Sequence, residues 1–348
     1  MRVLLVSPLP PPMGGIATLT QRMLNSFSLE DVDVACINVA HKVNKNDKNI
    51  TNYTIFDALR ILFKTVYSVL IKCKKNECDL IHINSSCGGG TLRDYIIETI
   101  ANIYNVPVVI QYHCNIELSV NNNKIAKYFH LKCFAKADKI IVLNESCKKF
   151  IQNKGFDAII VPNGISKELI VSAHDINKEL KKVVFTGRVS KEKGCLELYE
   201  CAKKNKNIEF YLAGLIEGEL KEKFMLLKNV NLLGPLPHND VIDLLDSSDI
   251  FVFPSYSEGF SISLLEAMAR GLPCITTNVG ANIDMLENKG GIIIASHNSN
   301  ELNDAIEAIR DMNIRKSMSL WNIQKVSNCY TEEKMFKMLH SIYLEVLN

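Results

Sequence analysis

Short apolar runs alternate with longer amphipathic stretches along the whole chain, and the alternation is played through twice. Runs at 2–7, 32–38, 79–83, 107–112, 139–143 and 158–161 read as strands, with helical patterns near 15–27, 55–75, 90–104, 124–136 and 145–154 between them. Turn residues Val161-Pro-Asn-Gly164 close this series, and the polar segment 166–181 reads as a linker. A second series follows, with strands at 182–186, 208–213, 230–233, 250–253, 273–277 and 291–294. Strands that are apolar throughout need cover on both faces, so the pattern specifies parallel sheets wrapped by helices. The 348 residues exceed a single core, which makes two Rossmann-like, doubly wound α/β domains the predicted fold. The predicted division is 1–165, 166–330 and a tail, 331–348. That tail reads as an amphipathic helix with Met335, Leu339, Ile342, Tyr343 and Val346 on its apolar side. Doubly wound sheets hold ligands beyond the carboxyl ends of their strands, so two such domains facing one another would form a cleft.

Composition sets limits on this picture. With 47% hydrophobic and 22% charged residues, the chain resembles an ordinary soluble globular protein. Its net charge of +2 conceals an asymmetry: residues 1–165 hold 19 Lys/Arg against 13 Asp/Glu, and the remainder holds 21 against 25, so the halves are +6 and −4. A basic first half suits an anionic acceptor or membrane surface; scattered surface charge is the alternative. The 11 cysteines, among them Cys36, Cys114, Cys195 and Cys274, form no C-x-x-C pair and are odd in number, which reads as reduced thiols rather than a disulfide framework. Arg2 to Ser7 begins directly as a strand, so no signal peptide is expected, and no apolar stretch reaches the roughly 18 residues of a spanning helix. A cytoplasmic protein, soluble or peripheral on the membrane, is expected.

The chemistry concentrates at strand ends. In Ser257-Glu-Gly-Phe-Ser-Ile-Ser-Leu-Leu-Glu266, Glu258 stands in a glycine-containing turn and Glu266 about two turns into a helix. Carboxylates accept from hydroxyls, and the amides of a helix N-terminus attract anions, so this segment suits a ligand with both. Two plainer readings compete: Glu258 as a solvated loop residue, and Ser263-Leu-Leu-Glu266 as a capping box. Upstream, Val184-Phe-Thr-Gly-Arg-Val-Ser-Lys-Glu-Lys-Gly194 carries Arg188 and Lys193 beyond a strand. A forked guanidinium and a point-charge ammonium suit a diphosphate; a solvated basic loop is the alternative.

In the first half, strand 2–7 runs into Pro8-Leu-Pro-Pro-Pro-Met-Gly-Gly-Ile-Ala17, where Gly14 and Gly15 would let backbone amides approach a phosphate or simply make a steric turn. The G-x-G-x-x-G spacing of dinucleotide sites is absent. Gln111-Tyr-His-Cys-Asn115 brings His113 to a strand end, as a catalytic or a structural histidine, while His82 reads as a core or strand-end residue. Helix 55–75 combines a broad apolar face with Arg60, Lys64, Lys72, Lys74 and Lys75, and reads either as an interfacial helix drawn to anionic lipid or as a sheet-covering helix with a basic end. Asp-x-Asp occurs only as Asp31-Val-Asp33 at a strand start, and no His, Cys or carboxylate spacing suits a metal, so metal-independent chemistry without a cofactor is expected. Nucleic acid is not an expected partner.

Together these segments resemble the family 4 retaining glycosyltransferases of the two-domain GT-B type, over nearly the whole chain. Glu258 to Glu266 matches the family's E-x7-E motif, followed by Ala267-Met-Ala-Arg-Gly-Leu-Pro273 and Thr277-Asn-Val-Gly280; Gly187 to Gly194 matches its G-R-x-x-x-x-K-G loop. Gly14-Gly15, His113 and Pro162-Asn-Gly164 fall in the expected order. The resemblance implies that Arg188 and Lys193 bind the diphosphate of a nucleotide-sugar donor and Glu266 the ribose hydroxyls. Glu258, with the amides of Gly259, Phe260, Ser261 and Ile262, would hold the sugar and phosphate. Gly15 would approach the diphosphate, His113 would lie beside the transferred sugar, and the last helix would cross back onto the first domain. One departure is Leu212-Ala-Gly-Leu-Ile-Glu-Gly218 in place of the family's Gly-x-Gly-Pro, which leaves uridine and guanosine donors both open.

The reaction so implied is transfer of a sugar from a UDP- or GDP-sugar to a glycan or lipid-linked acceptor, with retention, in cell-surface polysaccharide synthesis. No carboxylate is clearly placed behind the anomeric carbon, so a same-face substitution is expected, with His113 orienting and the leaving phosphate taking the acceptor proton. A sugar-nucleotide epimerase, a glycan phosphorylase and a non-catalytic glycan-binding protein of the same fold are the alternatives.

Overall fold

The computed structural model describes residues 1–11, 14–27, 32–40 and 55–348. Pro12 and Met13 of the glycine turn, and Asp31 of Asp31-Val-Asp33, lie outside the described residues. The chain divides into two compact units, the first comprising Met1–Pro162 with Met335–Asn348, the second Asn163–Lys334.

The first unit has six strands: β1 (Arg2–Ser7), β2 (Asp33–Asn38), β3 (Leu80–Ser85), β4 (Val108–Tyr112), β5 (Lys139–Val142) and β6 (Ile159–Ile160). Its helices are α1 (Gly15–Phe27), α2 (Ile55–Lys74), α3 (Thr91–Ile103), α4 (Ile116–Asn122), α5 (Lys124–Lys136) and α6 (Glu145–Gln152). The strands are parallel in the order β2-β1-β3-β4-β5-β6. All of β3 and β4 is buried, as strands covered on both faces must be. Only α4 has no counterpart in the sequence reading; it is a short helix started by Asn115, whose side chain accepts from Leu118 N at 3.2 Å.

The second unit repeats the plan with β7 (Lys182–Thr186), β8 (Glu209–Ala213), β9 (Val230–Gly234), β10 (Ile250–Phe253), β11 (Cys274–Thr277) and β12 (Gly291–Ile294). Its helices are α7 (Cys195–Lys204), α8 (Gly218–Phe224), α9 (His238–Asp246), α10 (Ile262–Ala269), α11 (Asn282–Leu286), α12 (Ser299–Ala308) and α13 (Met312–Cys329). This sheet is also parallel, in the order β12-β11-β10-β7-β8-β9. Strand order reverses beside β1 in one unit and beside β7 in the other. At such reversals the loops leaving neighbouring strands part in opposite directions and open a crevice. β1 and β3 define it in the first unit, β7 and β10 in the second.

The last helix, α14 (Glu332–Leu347), buries Met335, Phe336, Leu339, Ile342 and Tyr343 against Val3, Leu5, Val109 and Ile141 of the first sheet. Each such side chain contributes about 1.5–3 kcal/mol on burial. Tyr343 Oη lies 2.5 Å from Nδ1 of the buried His82, which fixes the helix in register.

Two readings from sequence need correction. The 166–181 segment is fastened to the second unit rather than free as a linker: Asn177 and the amides of Lys181 and Lys182 donate to Asp249, and Val171 N donates to Ala269 O. Ser, Asn and Lys side chains hide this in a sequence, because the partner carboxylate is some 70 residues away. Nine cysteines are free as read, but Cys87 and Cys114 form a disulfide, with Cα atoms 6.4 Å apart. The parallel pairing of β3 with β4 brings the two strand-end loops together, whereas the cysteines stand 27 positions apart in sequence.

Candidate active site

In the second unit the chemistry gathers at the β7/β10 reversal. Gly194, at φ +71°, lets the loop after β7 lie against Pro254, whose carbonyl any side chain at 194 would strike. Gly280, at φ +54°, presses in the same way on the carbonyls of Glu258 and Gly259. The loop after β10 is thus held between two glycine backbones, and Tyr256 ties it further through its N–H to Glu192 O (2.9 Å) and its hydroxyl to Glu197 (2.6 Å).

This clamping brings Lys193 Nζ to 2.5 Å from Glu258 Oε1, with side chains only 29% and 11% exposed. The two residues are 65 positions apart and come from different strand ends. Arg188, two residues beyond β7 on the loop that carries Lys193, is exposed and forms no ion pair among the described residues. Phe260 and Ser261 are buried, Ile262 is half-buried, and Gly259 lies just ahead of them where the chain turns into α10.

α10 is capped by Ser261, whose hydroxyl accepts from Leu264 N at 3.2 Å. Ser263 lies inside the helix, so the capping box read at Ser263 and Glu266 does not form. Buried Glu266 instead accepts from His238 Nε2 at 2.9 Å. The cap moves because Leu264 to Ala269 are all buried and set which face of the helix turns inward, two residues earlier than the Ser-x-x-Glu spacing suggests. His238, the first residue of α9, was not singled out from sequence. The signal was its place just beyond strand 230–234, on the rim where ligands bind.

In the first unit Gly14 precedes α1, with no described atom within 4 Å of where a side chain would project. Gly15 is the first residue of the helix. His113 follows β4, its N–H bonded to Ser85 O (2.9 Å) and its Nε2 2.9 Å from Asn84 Oδ1. Burial lowers the pKa of His113 to about 4 and, aided by the neighbouring His113, that of His82 to about 3, so both imidazoles are neutral at pH 7. Asn84 was also missed: within Leu80-Ile-His-Ile-Asn84 it reads as an ordinary strand residue.

α2 buries Val69 and Cys73 but exposes Phe56, Phe63 and Tyr67 at 77%, 68% and 65%, with Arg60 and Lys64 exposed on the same helix. No described helix is long and apolar enough to cross a membrane. Among the described residues no group of three or more His, Cys, Asp or Glu is placed to hold a metal ion.

Comparison with known proteins gives the family of the chain. The model for glycosyltransferase family 4 matches residues 13–169, and that for glycosyl transferases group 1 matches residues 166–320. An uncharacterised glycosyltransferase of Methanocaldococcus jannaschii is 26% identical over 365 residues, covering 99% of each chain. A UDP-Gal:α-D-GlcNAc-diphosphoundecaprenol α-1,3-galactosyltransferase of Escherichia coli is 28% identical, covering 82% of this chain and 80% of its own. In fold, sucrose-phosphate synthase from Thermosynechococcus elongatus superposes with a TM-score of 0.83 at 17% identity, over 99% and 98% of the two chains. The chain belongs to the family 4, group 1 glycosyltransferases of GT-B fold, and it is a glycosyltransferase. The epimerase, phosphorylase and non-catalytic readings find no support among these relatives.

Proposed function

We propose that the enzyme transfers a hexose from a UDP- or GDP-sugar, with retention, to a lipid-linked glycan at the cytoplasmic face of a membrane. The Lys193–Glu258 pair carries this reading, because it sets a diphosphate-binding cation and a hydroxyl-binding carboxylate side by side at the strand-order reversal of the second unit. Arg188 and Lys193 take the diphosphate, the amides from Gly259 to Ile262 take phosphate and sugar oxygens at the start of α10, and Glu266 takes the ribose. Glu258 accepts from the sugar hydroxyls. In the first unit Gly14 and Gly15 leave room for a phosphate, and His113 serves the sugar.

The anomeric carbon–oxygen bond to the diphosphate breaks as the acceptor oxygen bonds to the same face, and the acceptor proton passes to a phosphate oxygen. Fixed cations and helix amides stabilise the departing charge, the kind of preorganised electrostatic effect that supplies several kcal/mol. The mechanism as drawn needs no metal, so turnover is expected to survive EDTA, and its loss there would overturn the metal-independent reading. The Escherichia coli relative named above, with a UDP-sugar donor and a diphosphoundecaprenol-linked acceptor, supports both substrate classes. The exposed aromatic residues and cations of α2 support a peripheral seat on anionic lipid.

Incubation with nucleotide-sugars and a polyprenyl-diphosphate-linked sugar tests the assignment. An α-linked product from an α-linked donor, with nucleoside diphosphate released, is expected; a β-linked product would sink the retaining mechanism. Binding to anionic vesicles at low salt should weaken in Phe63→Ser/Tyr67→Ser, and equal binding of that variant removes α2 from the membrane contact.

A further inference from the structure

His113 sits at one end of a buried chain of hydrogen bonds whose direction can be worked out. Asn84 Oδ1 is 2.9 Å from His113 Nε2, and Asn84 Nδ2 is 3.0 Å from Ser7 Oγ. Ser7 Oγ is 2.5 Å from Thr20 Oγ1, and Thr20 Oγ1 is 2.8 Å from the carbonyl oxygen of Ile16. Ser7, Thr20 and Asn84 are each at most 1% exposed, so water does not compete for these bonds.

The far end is a carbonyl, which can only accept. Thr20 therefore donates its one hydroxyl proton to Ile16 O and must accept from Ser7. Ser7, its proton committed to Thr20, must accept from Asn84, and only the amide nitrogen of Asn84 can give that proton. The carboxamide oxygen is then left facing the imidazole. Turning the amide over would commit the Ser7 proton to Asn84 and leave two hydroxyl oxygens 2.5 Å apart with no proton between them. The Met23 sulfur, 4.0 Å from Asn84 Nδ2, favours the same orientation, being a weak acceptor that would repel an oxygen.

We infer that Asn84 is a positioning residue that holds His113 in the Nε2–H tautomer, so that Nδ1 presents a lone pair and receives a hydrogen bond from a substrate hydroxyl. The chain runs from β4 through β3 and β1 to the first turn of α1, and so it joins His113 to the helix that follows Gly14 and Gly15. The inference deepens the proposed function and rests on it in one respect, that His113 touches substrate.

Nitrogen-15 spectra of histidine-labelled full-length protein at pH 7.5 test it, with His113 assigned by its absence in His113→Ala. A protonated Nε2 and an unprotonated Nδ1 are expected in the wild type, and an Nδ1–H signal there overturns the assignment. Asn84→Leu should admit the Nδ1–H tautomer and lower kcat at least tenfold, with donor KM within about twofold. Asn84→Asp, which keeps the acceptor oxygen, should retain protonated Nε2 and provides the test should Asn84→Leu not fold; a switch to Nδ1–H in that variant overturns the role of the Asn84 oxygen. An unchanged tautomer in folded Asn84→Leu also refutes the positioning role. Full activity in His113→Ala, with the wild-type tautomer as assigned, instead refutes the reading that His113 serves substrate.

Discussion

The two units share a parallel six-stranded plan yet equip their strand-order reversals in opposite ways. At the β7/β10 reversal the candidate groups are charged, Lys193 matched with Glu258 and Arg188 exposed on the same loop as Lys193. At the β1/β3 reversal they are neutral, half-buried His113 and buried Asn84, Ser7 and Thr20 forming one directed chain. The difference is electrostatic in origin. The Lys193 and Glu258 charges, 29% and 11% exposed, are tolerable because each is the other's partner, whereas an unpaired side chain between two helix-covered faces of a sheet must be neutral and hydrogen-bonded. On the proposed function a charged donor would sit on the second unit, and neutral dipoles on the first would orient it.

Removing the charges should have the largest consequence. Arg188→Ala and Lys193→Ala are each expected to lower kcat by roughly 10²–10³, in the range for losing one preorganised donor to a developing anion. Steady-state kinetics with the preferred nucleotide-sugar measure this, and unchanged kcat in both variants would break the contrast between the units. Lys193→Ala also leaves Glu258 without its ion-pair partner, so its effect should exceed that of Arg188→Ala.

The buried groups of the first unit predict a pH response of their own. Burial lowers the pKa of His82 to about 3 and of His130 to about 4, while in the unfolded chain both titrate near 6.5. The unfolded state therefore takes up protons first, and stability falls as pH drops from 6.5 toward 4, by about 1.4 kcal/mol per histidine for each pH unit. Glu98 acts in the other direction. Buried on α3 beside Cys133, with Asp94 close by, its carboxyl is raised to about 9 from an ordinary 4.5. The unfolded carboxyl ionises while the folded one stays protonated, so stability is lost as pH rises from 4.5 to 9. Glu98→Gln should stabilise the first unit by about 1–4 kcal/mol at pH 8 and by much less at pH 5. Hydrogen exchange read separately in β3–β5 and in β7–β10 checks both, and an equal acid response in the two sheets would contradict the contrast.

What could be read in the sequence divides along the same line. The strands were legible because β1, β3, β7 and β10 are apolar runs of a length that nothing but a covered strand fits. Arg188, Lys193 and Glu258 stood out as charged residues in loops after strands, and Glu266 as a carboxylate in the helix that follows. Asn84, Ser7 and Thr20 were not, since a buried polar residue within a strand or helix announces itself only through a partner, and those partners lie 13 to 77 positions away. The capping box failed for a related reason. The spacing of Ser263 and Glu266 was sound, but burial of Leu264 to Ala269 decided where the helix starts and His238 decided where the carboxylate points. Local rules describe what a residue can do, and the sheet decides which neighbour it meets.

The smallest expected effect is also the finest probe of the second unit. His238 is half exposed at the start of α9 and bonds through Nε2 to one oxygen of Glu266, leaving Oε2 of that carboxylate for a ligand. If Glu266 accepts from ribose hydroxyls, His238 fixes the plane of the carboxylate without touching the reacting bond. His238→Ala should then weaken donor binding by about 1 kcal/mol, a roughly 2- to 10-fold rise in KM, with kcat nearly unchanged. His238→Gln, which can still donate to Glu266, should recover most of the loss. Titration calorimetry with the nucleoside diphosphate alone isolates the effect, because the sugar contacts of Glu258 do not enter. A fall in kcat in place of a rise in KM would place His238 with the cations that act on the departing phosphate, not with the group that holds the nucleoside.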